Sequence, residues 1–151
     1  MPDELPEHSS RVGAVVLLRS DGAALLQLRD EKPGLKHAGK WVPPGGHSEP
    51  GETMEGCARR EFLEETCYRL GVLQHLLDFT DNEDSALKPS FVTVYWSLYD
   101  DDQPFTCREG QALEFIRRPD ADRYPIPEYL VHVWDQALVA FVRSGGTPCV
   151  K

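Results

Sequence analysis

Between Gly45 and Thr66 the chain sets a loop rich in glycine and proline directly before a helical stretch loaded with acids, and few folds can use that junction. Gly45, Gly46, Pro50 and Gly51 mark backbone turns that other residues tolerate poorly. Thr53 suits a helix N-cap, Glu55 places negative charge in the first turn, and only Gly56 weakens the helix up to Thr66. At about 100° per residue, Glu61, Glu64 and Glu65 share an arc roughly 100° wide. Met54, Cys57 and Ala58 project into or beside that arc, Phe62 flanks it, and Arg59 and Leu63 fall on the far side. An acid-rich helix is ordinarily a solvated face. Here the carboxylates share the apolar face, which directs them towards the body of the protein. Carboxylates gathered there repel one another and lose hydration, so they require cations. All-oxygen ligands suit Mg²⁺ or Mn²⁺ and not zinc.

The spacing runs Gly46, five residues, Glu52, seven residues, then Arg60-Glu61-Phe62-Leu63-Glu64-Glu65. It resembles the box of the Nudix hydrolase family, Gly-x5-Glu-x7-Arg-Glu-hydrophobic-x-Glu-Glu-x-Gly-hydrophobic. Every constrained position matches except the last glycine, where Cys67 stands before Tyr68. That departure falls at the helix exit, where glycine usually serves as a C-cap, and it leaves the candidate ligands in place. The resemblance implies an α/β protein with the Nudix fold, an α/β/α sandwich with a mixed β-sheet, from roughly Arg11 to Arg143. It implies Glu61, Glu64 and Glu65 as metal-binding carboxylates, with Glu52 in support and the Gly46 carbonyl as a further ligand. Arg60 either orients a glutamate through an ion pair, the favoured reading, or touches substrate. For the base that activates water, Glu109-Gly110-Gln111 is similar to the Glu-Gly-Gln of the MutT branch, whose glutamate reaches the metal cluster from a loop. Glu109 would then join both the metal and the catalytic sets, beside Glu64, Glu65 and Arg60. Glu114 is its rival, and Glu64 is a third choice.

The reaction this implies is attack of water on the phosphorus of a diphosphate linkage in a nucleoside diphosphate joined to another group. NDP-sugars or ADP-ribose-like compounds are slightly preferred. The alternatives are a house-cleaning (d)NTP pyrophosphohydrolase and a module that senses a nucleotide or sugar without cleaving it. Retention of Glu52, Glu61, Glu64 and Glu65 favours an enzyme. Arg29, Lys32, Lys36 and Lys40 precede the box and could meet phosphates; Trp41, Tyr95 and Tyr124 could stack on a base. Glu128 falls where MutT-type sanitising enzymes carry an asparagine that reads oxidised guanine, which argues against that substrate.

A net charge of −9 over 151 residues opposes broad contact with nucleic acid. No apolar run is long enough to span a membrane, and Met1–Ser10 lacks a signal-peptide core. Cys57, Cys67, Cys107 and Cys149 show neither paired nor metal-type spacing, so reduced thiols and a cytoplasmic location are expected. Partners reduce to a small nucleoside diphosphate derivative, with a homodimer possible in this family.

Hydropathy predicts strands over Val12–Arg19, Ala23–Arg29, Trp41–Val42, Leu70–Thr80, Phe91–Tyr99 and Ala112–Arg117, with a brief extension over Phe105–Cys107. Residues 81–89 and 118–127 read as loops. A closing helix from Glu128 to just before Gly145 places Leu130, Val133, Trp134, Ala137, Leu138 and Phe141 on one face. The expected organisation is a flexible tail over residues 1–10, a single domain over 11–144 and a short tail over 145–151.

Overall fold

The computed structural model describes residues 10–81 and 89–145. Residues 1–9 and 146–151, most of the expected tails 1–10 and 145–151, and residues 82–88 of the acidic loop lie outside the described residues. Among the described residues seven strands form one mixed sheet: β1 (Ser10–Leu18), β2 (Ala24–Leu28), β3 (Trp41–Val42), β4 (Gly45–His47), β5 (Gln74–Asp81), β6 (Ser90–Leu98) and β7 (Ala112–Ile116). Its main path is β3-β2-β1-β6-β5, with β4 added to β1 and β7 to β2. Strand β1 is central because its apolar run can be buried on both faces. It lies parallel to β6, from Ser10 opposite Ser90 to Leu18 opposite Leu98. Its other edge is divided: Val12 to Ala14 pair with β4, and Leu18 pairs with Ala24 of β2.

Helix α1 (Met54–Thr66) covers one face and α2 (Glu128–Arg143) the other. On the α1 side Val15, Leu17 and Leu25 pack with Ala58 and Phe62; on the α2 side Ala14, Val16 and Leu26 meet Val133, Trp134, Ala137 and Phe141. The chain is therefore an α/β/α sandwich. The Trp134 indole donates 3.0 Å to the Gly22 carbonyl, giving the buried ring its polar partner.

Several local expectations change. Gly45–His47, read as loop, is a strand, because the free edge of β1 offers it a ladder. Residues 118–123 form a 3₁₀ helix started by Pro119, not plain loop. Residues 105–107 join no strand; their backbone docks on the end of α1 instead. Strand β5 starts at Gln74, and Ser10 and Asp81 belong to strands, not to the tail and loop.

Candidate active site

Helix α1 begins as its sequence requires, with the Thr53 hydroxyl accepting from the Gly56 N–H at 3.0 Å. It ends at Cys67, which holds the left-handed conformation, φ 62°, that the box reserves for glycine. The Cys67 N–H still closes the last turn on the Leu63 carbonyl at 2.9 Å.

The three box glutamates do not behave alike. The Glu65 side chain is buried, with 5% of the residue exposed, and Glu61 keeps 17% of its side chain in solvent. Glu64 is 58% exposed, so the shared arc turned towards the body is corrected for this residue. Arg60 accounts for the split. Its Nη1 lies 2.8 Å from Glu61 and 3.3 Å from Glu64, one turn on, which draws Glu64 along the outer rim. The rest of its guanidinium grips Glu52 as a fork, Nε at 2.7 Å and Nη2 at 2.9 Å, and Nη2 donates to the His47 carbonyl at 3.1 Å. That fork holds the Glu52 carboxyl down at about 2 and raises the Arg60 pKa. One cation thus ties the box loop, the helix entry and two glutamates together.

The packing at Gly46 explains the glycine that opens the box. A Cβ there would collide with the Glu61 carboxylate. Its carbonyl accepts from the Cys57 thiol at 3.3 Å, and the Gly45 N–H donates to Glu65 Oε2 at 3.0 Å.

Glu109 reaches this group from the loop between β6 and β7. The loop is fastened to the C-terminal end of α1 by the N–H groups of Thr106 and Arg108, which donate to the carbonyls of Thr66 at 2.8 Å and Glu65 at 3.0 Å. Its other flank rests on β2, where the Gln111 N–H donates to Leu28 at 2.8 Å and the Gln111 side chain to Arg29 at 2.9 Å. Gly110 is left-handed, φ 80°, and a Cβ on it would stand 2.6 Å from the Leu28 carbonyl. The result sets the Glu109 carboxyl beside that of Glu65. Burial first, then Glu109 and the charge of Glu61, push the Glu65 pKa up to about 9. Glu114, the rival base, is an exposed residue of β7 opposite Leu26 and has no part in this contact.

Among the described residues, no three Asp, Glu, His or Cys side chains close on one point as a finished ligand set. The acids stand instead in adjoining groups, Glu52, Glu61 and Glu64 around Arg60, and Glu65 with Glu109 behind Glu61. The buried Glu65 carboxyl with the exposed Glu109 beside it, next to a glycine carbonyl, is a donor set that fits a hard divalent ion.

Two spaces flank the acids. A small cleft of about 120 Å³ is lined by Gln27, Arg29, Asp30, Lys32, Leu35, Glu109 and Gly110. On the α2 side, a narrow apolar slot of about 90 Å³ is walled by Val12, Ala14, Val92, Val94, Phe79 and Tyr129 and reaches Arg29 and Gly45. It shares Phe79, Asp81, Tyr129 and Val133 with a wider cavity of about 490 Å³. Arg29 borders the cleft and the slot, and its buried Nε has no hydrogen-bond partner among the described residues. Lys32 is largely exposed; Lys36 is taken up by the Asp81 carbonyl at 3.1 Å and Ser90 at 2.9 Å; Lys40 lines none of these spaces. Trp41 and Tyr95 are buried, Trp41 edge-on to Tyr124, so Trp41 and Tyr95 are core residues and not stacking platforms. Glu128 is exposed at the start of α2, and its neighbour Tyr129 is the residue that faces the slot. Tyr129, His37 and Asp81 form a hydrogen-bonded group, at 2.7 and 2.9 Å from the His37 ring, that lines the slot where it adjoins the wider cavity. Sequence reasoning missed Tyr129, although its i, i+4 relation to Val133 put it on the buried face of α2.

The comparisons agree with the geometry. The family model for the NUDIX domain matches residues 7–135. The m7GpppN-mRNA hydrolase NUDT17 of Xenopus laevis is 39% identical over 70 residues, 46% of this chain and 24% of that protein. The nucleoside triphosphatase NudI of Escherichia fergusonii is 38% identical over 72 residues, 48% of this chain and 50% of that one. The matches thus span half or less of these relatives' lengths. The NUDIX domain of Shewanella oneidensis NrtR, crystallised with ADP ribose, superposes with a TM-score of 0.75 at 19% identity, over 93% of this chain and 95% of that domain. With the box, the sandwich and the acid-lined end of α1 all in place, this chain belongs to the NUDIX family.

Proposed function

We propose that the chain is a divalent-metal-dependent pyrophosphohydrolase acting on a nucleoside diphosphate linked to another group. The observation that carries this reading is the buried Glu65 carboxyl with the exposed Glu109 beside it, next to Glu61 and the Gly46 carbonyl, an all-oxygen donor set that fits a hard divalent ion. Glu61, Glu64, Glu65, Glu109 and the Gly46 carbonyl would hold Mg²⁺ or Mn²⁺, with Glu52 in support. The bound ion would offset the charge of the diphosphate and make water acidic enough to attack phosphorus.

The chain's own residues then have distinct tasks. Glu109 lies at the cleft, where it can take the proton from the attacking water. Arg60 fixes the rotamers of Glu52, Glu61 and Glu64 with a rigid, permanently charged fork. Arg29 would face the anion, a role supported by its place between the cleft and the slot and by a buried Nε with no hydrogen-bond partner among the described residues. The apolar slot between the sheet and Tyr129 suits one flat face of a base, and the wider cavity beyond leaves room for its edge. NDP-sugars or ADP-ribose-like compounds remain the preferred substrates, supported by the likeness to an ADP-ribose-bound NUDIX domain. The match to NudI supports the second reading, a nucleoside triphosphate substrate.

Phosphate release from nucleoside triphosphates, NDP-sugars, ADP-ribose and dinucleoside polyphosphates tests this, each with Mg²⁺, Mn²⁺ or EDTA and with a phosphatase for monoester products. Metal-dependent cleavage of one class is expected. Tight binding without cleavage across the panel would replace the enzyme with a sensing module.

A further inference from the structure

Gln27 is a polar residue in the Ala-Leu-Leu-Gln-Leu run of β2, 3% exposed, between Val42 of β3 and Leu113 of β7. A central strand has little reason to bury an amide unless the amide has work in the fold, because its polar atoms must find partners. The side-chain Nε2 of Gln27 donates to the backbone carbonyl of Glu109 at 2.9 Å, across 82 residues of sequence. The same side chain underlies Gly110, whose absent Cβ would stand 3.2 Å from its Cγ. Gln27 therefore meets the loop at the residue whose carboxyl lies beside Glu65, while the N–H groups of Thr106 and Arg108 hold the loop's other end to α1.

We infer that Gln27 is a positioning residue: its amide sets the reach of Glu109 from the rigid centre of the sheet onto the acids of α1, and through Glu109 it sets the affinity for the divalent ion. This deepens the hydrolase reading and rests on it. A carbonyl held in place fixes the backbone position from which the Glu109 side chain reaches towards Glu65. With the amide removed, the loop keeps its Gln111 contacts to β2, so the chain stays folded while Glu109 loses its fixed origin.

The test is a double-substitution cycle read by Mn²⁺ dissociation constants from electron paramagnetic resonance, with no turnover needed. Gln27→Met keeps length and apolar bulk and deletes the donor; Gln27→Leu serves if that variant does not fold, and urea midpoints confirm the fold of each. Gln27→Met is expected to weaken Mn²⁺ binding about tenfold, the usual effect of losing a group that orients a ligand. Glu109→Gln should weaken it at least as much, and adding Gln27→Met to Glu109→Gln should then change nothing more. Full additivity of the two losses, or unchanged affinity in Gln27→Met, overturns the positioning role alone. A native chain that binds no Mn²⁺ overturns the hydrolase reading and this role with it.

Discussion

Replacing Glu65 by glutamine should stabilise the metal-free protein, and the gain should grow with pH. The folded-state pKa of Glu65 is raised from 4.5 to about 9, chiefly by burial and then by Glu109. Between those values the folded chain keeps a proton that the unfolded chain has released. This stabilisation is whole below about pH 4.5 and is lost as pH rises towards 9, at about 1.4 kcal/mol per unit. From pH 6 to pH 8 the native protein should therefore lose roughly 3 kcal/mol that a neutral side chain would not lose. Glutamine reproduces the protonated carboxyl: its carbonyl can accept from the Gly45 N–H and its NH₂ can donate to Glu109. Urea denaturation in EDTA at several pH values, native against Glu65→Gln, isolates the effect because every other titrating group is common to both. Saturating Mg²⁺ should narrow the gap, since ligand at a hundred times its dissociation constant stabilises the native chain by about 2.7 kcal/mol and the variant by far less. Parallel stability profiles from pH 6 to pH 8 would refute the reasoning, because Glu65 would then titrate like a surface acid.

Glu109→Gln should slow turnover at saturating Mg²⁺ by about a hundredfold or more, whereas Glu114→Gln should leave it unchanged; steady-state rates decide between them. Arg60→Lys keeps the charge but loses the fork, and metal titrations of activity should show about a tenfold higher Mg²⁺ requirement. The depressed Glu52 pKa contributes stability above about 4.5 that is lost as pH falls towards 2, so Glu52→Gln should flatten the acid limb of an unfolding curve followed by circular dichroism. Cys67→Gly should stabilise the fold by about 1 kcal/mol by relieving a left-handed non-glycine residue, measured by urea denaturation.

Much of the fold was legible because the patterns that encode it are local. The double-sided apolar run of β1, the amphipathic face of α2 and the Thr53 cap each depend on residues a few positions apart. The site was legible to the extent that the box lies on one helix: the spacing gathered Glu52, Arg60, Glu61 and Glu65. It erred at Glu64 because angular position on a helix does not tell which acid an arginine one turn away will capture. Gln27, His37 and Tyr129 stayed hidden because each acquires its meaning from a partner 82, 44 or 92 residues away. The strand at Gly45–His47 escaped for the same reason: three residues with two glycines carry no strand signal, and only the open edge of β1 makes them one.

The parallel pairing of β1 with β6 also shapes how the chain folds. Every partner of β1 on that edge lies 80 residues further along, so the centre of the sheet cannot be completed by local zippering. Closing so large a loop precedes the reward of the contacts it allows, which places the protein among slow folders for its size. During synthesis the first half of the sheet must wait for residues 90–98 with one apolar edge of β1 uncovered. Chain fragments ending before Ser90 should accordingly aggregate and not fold.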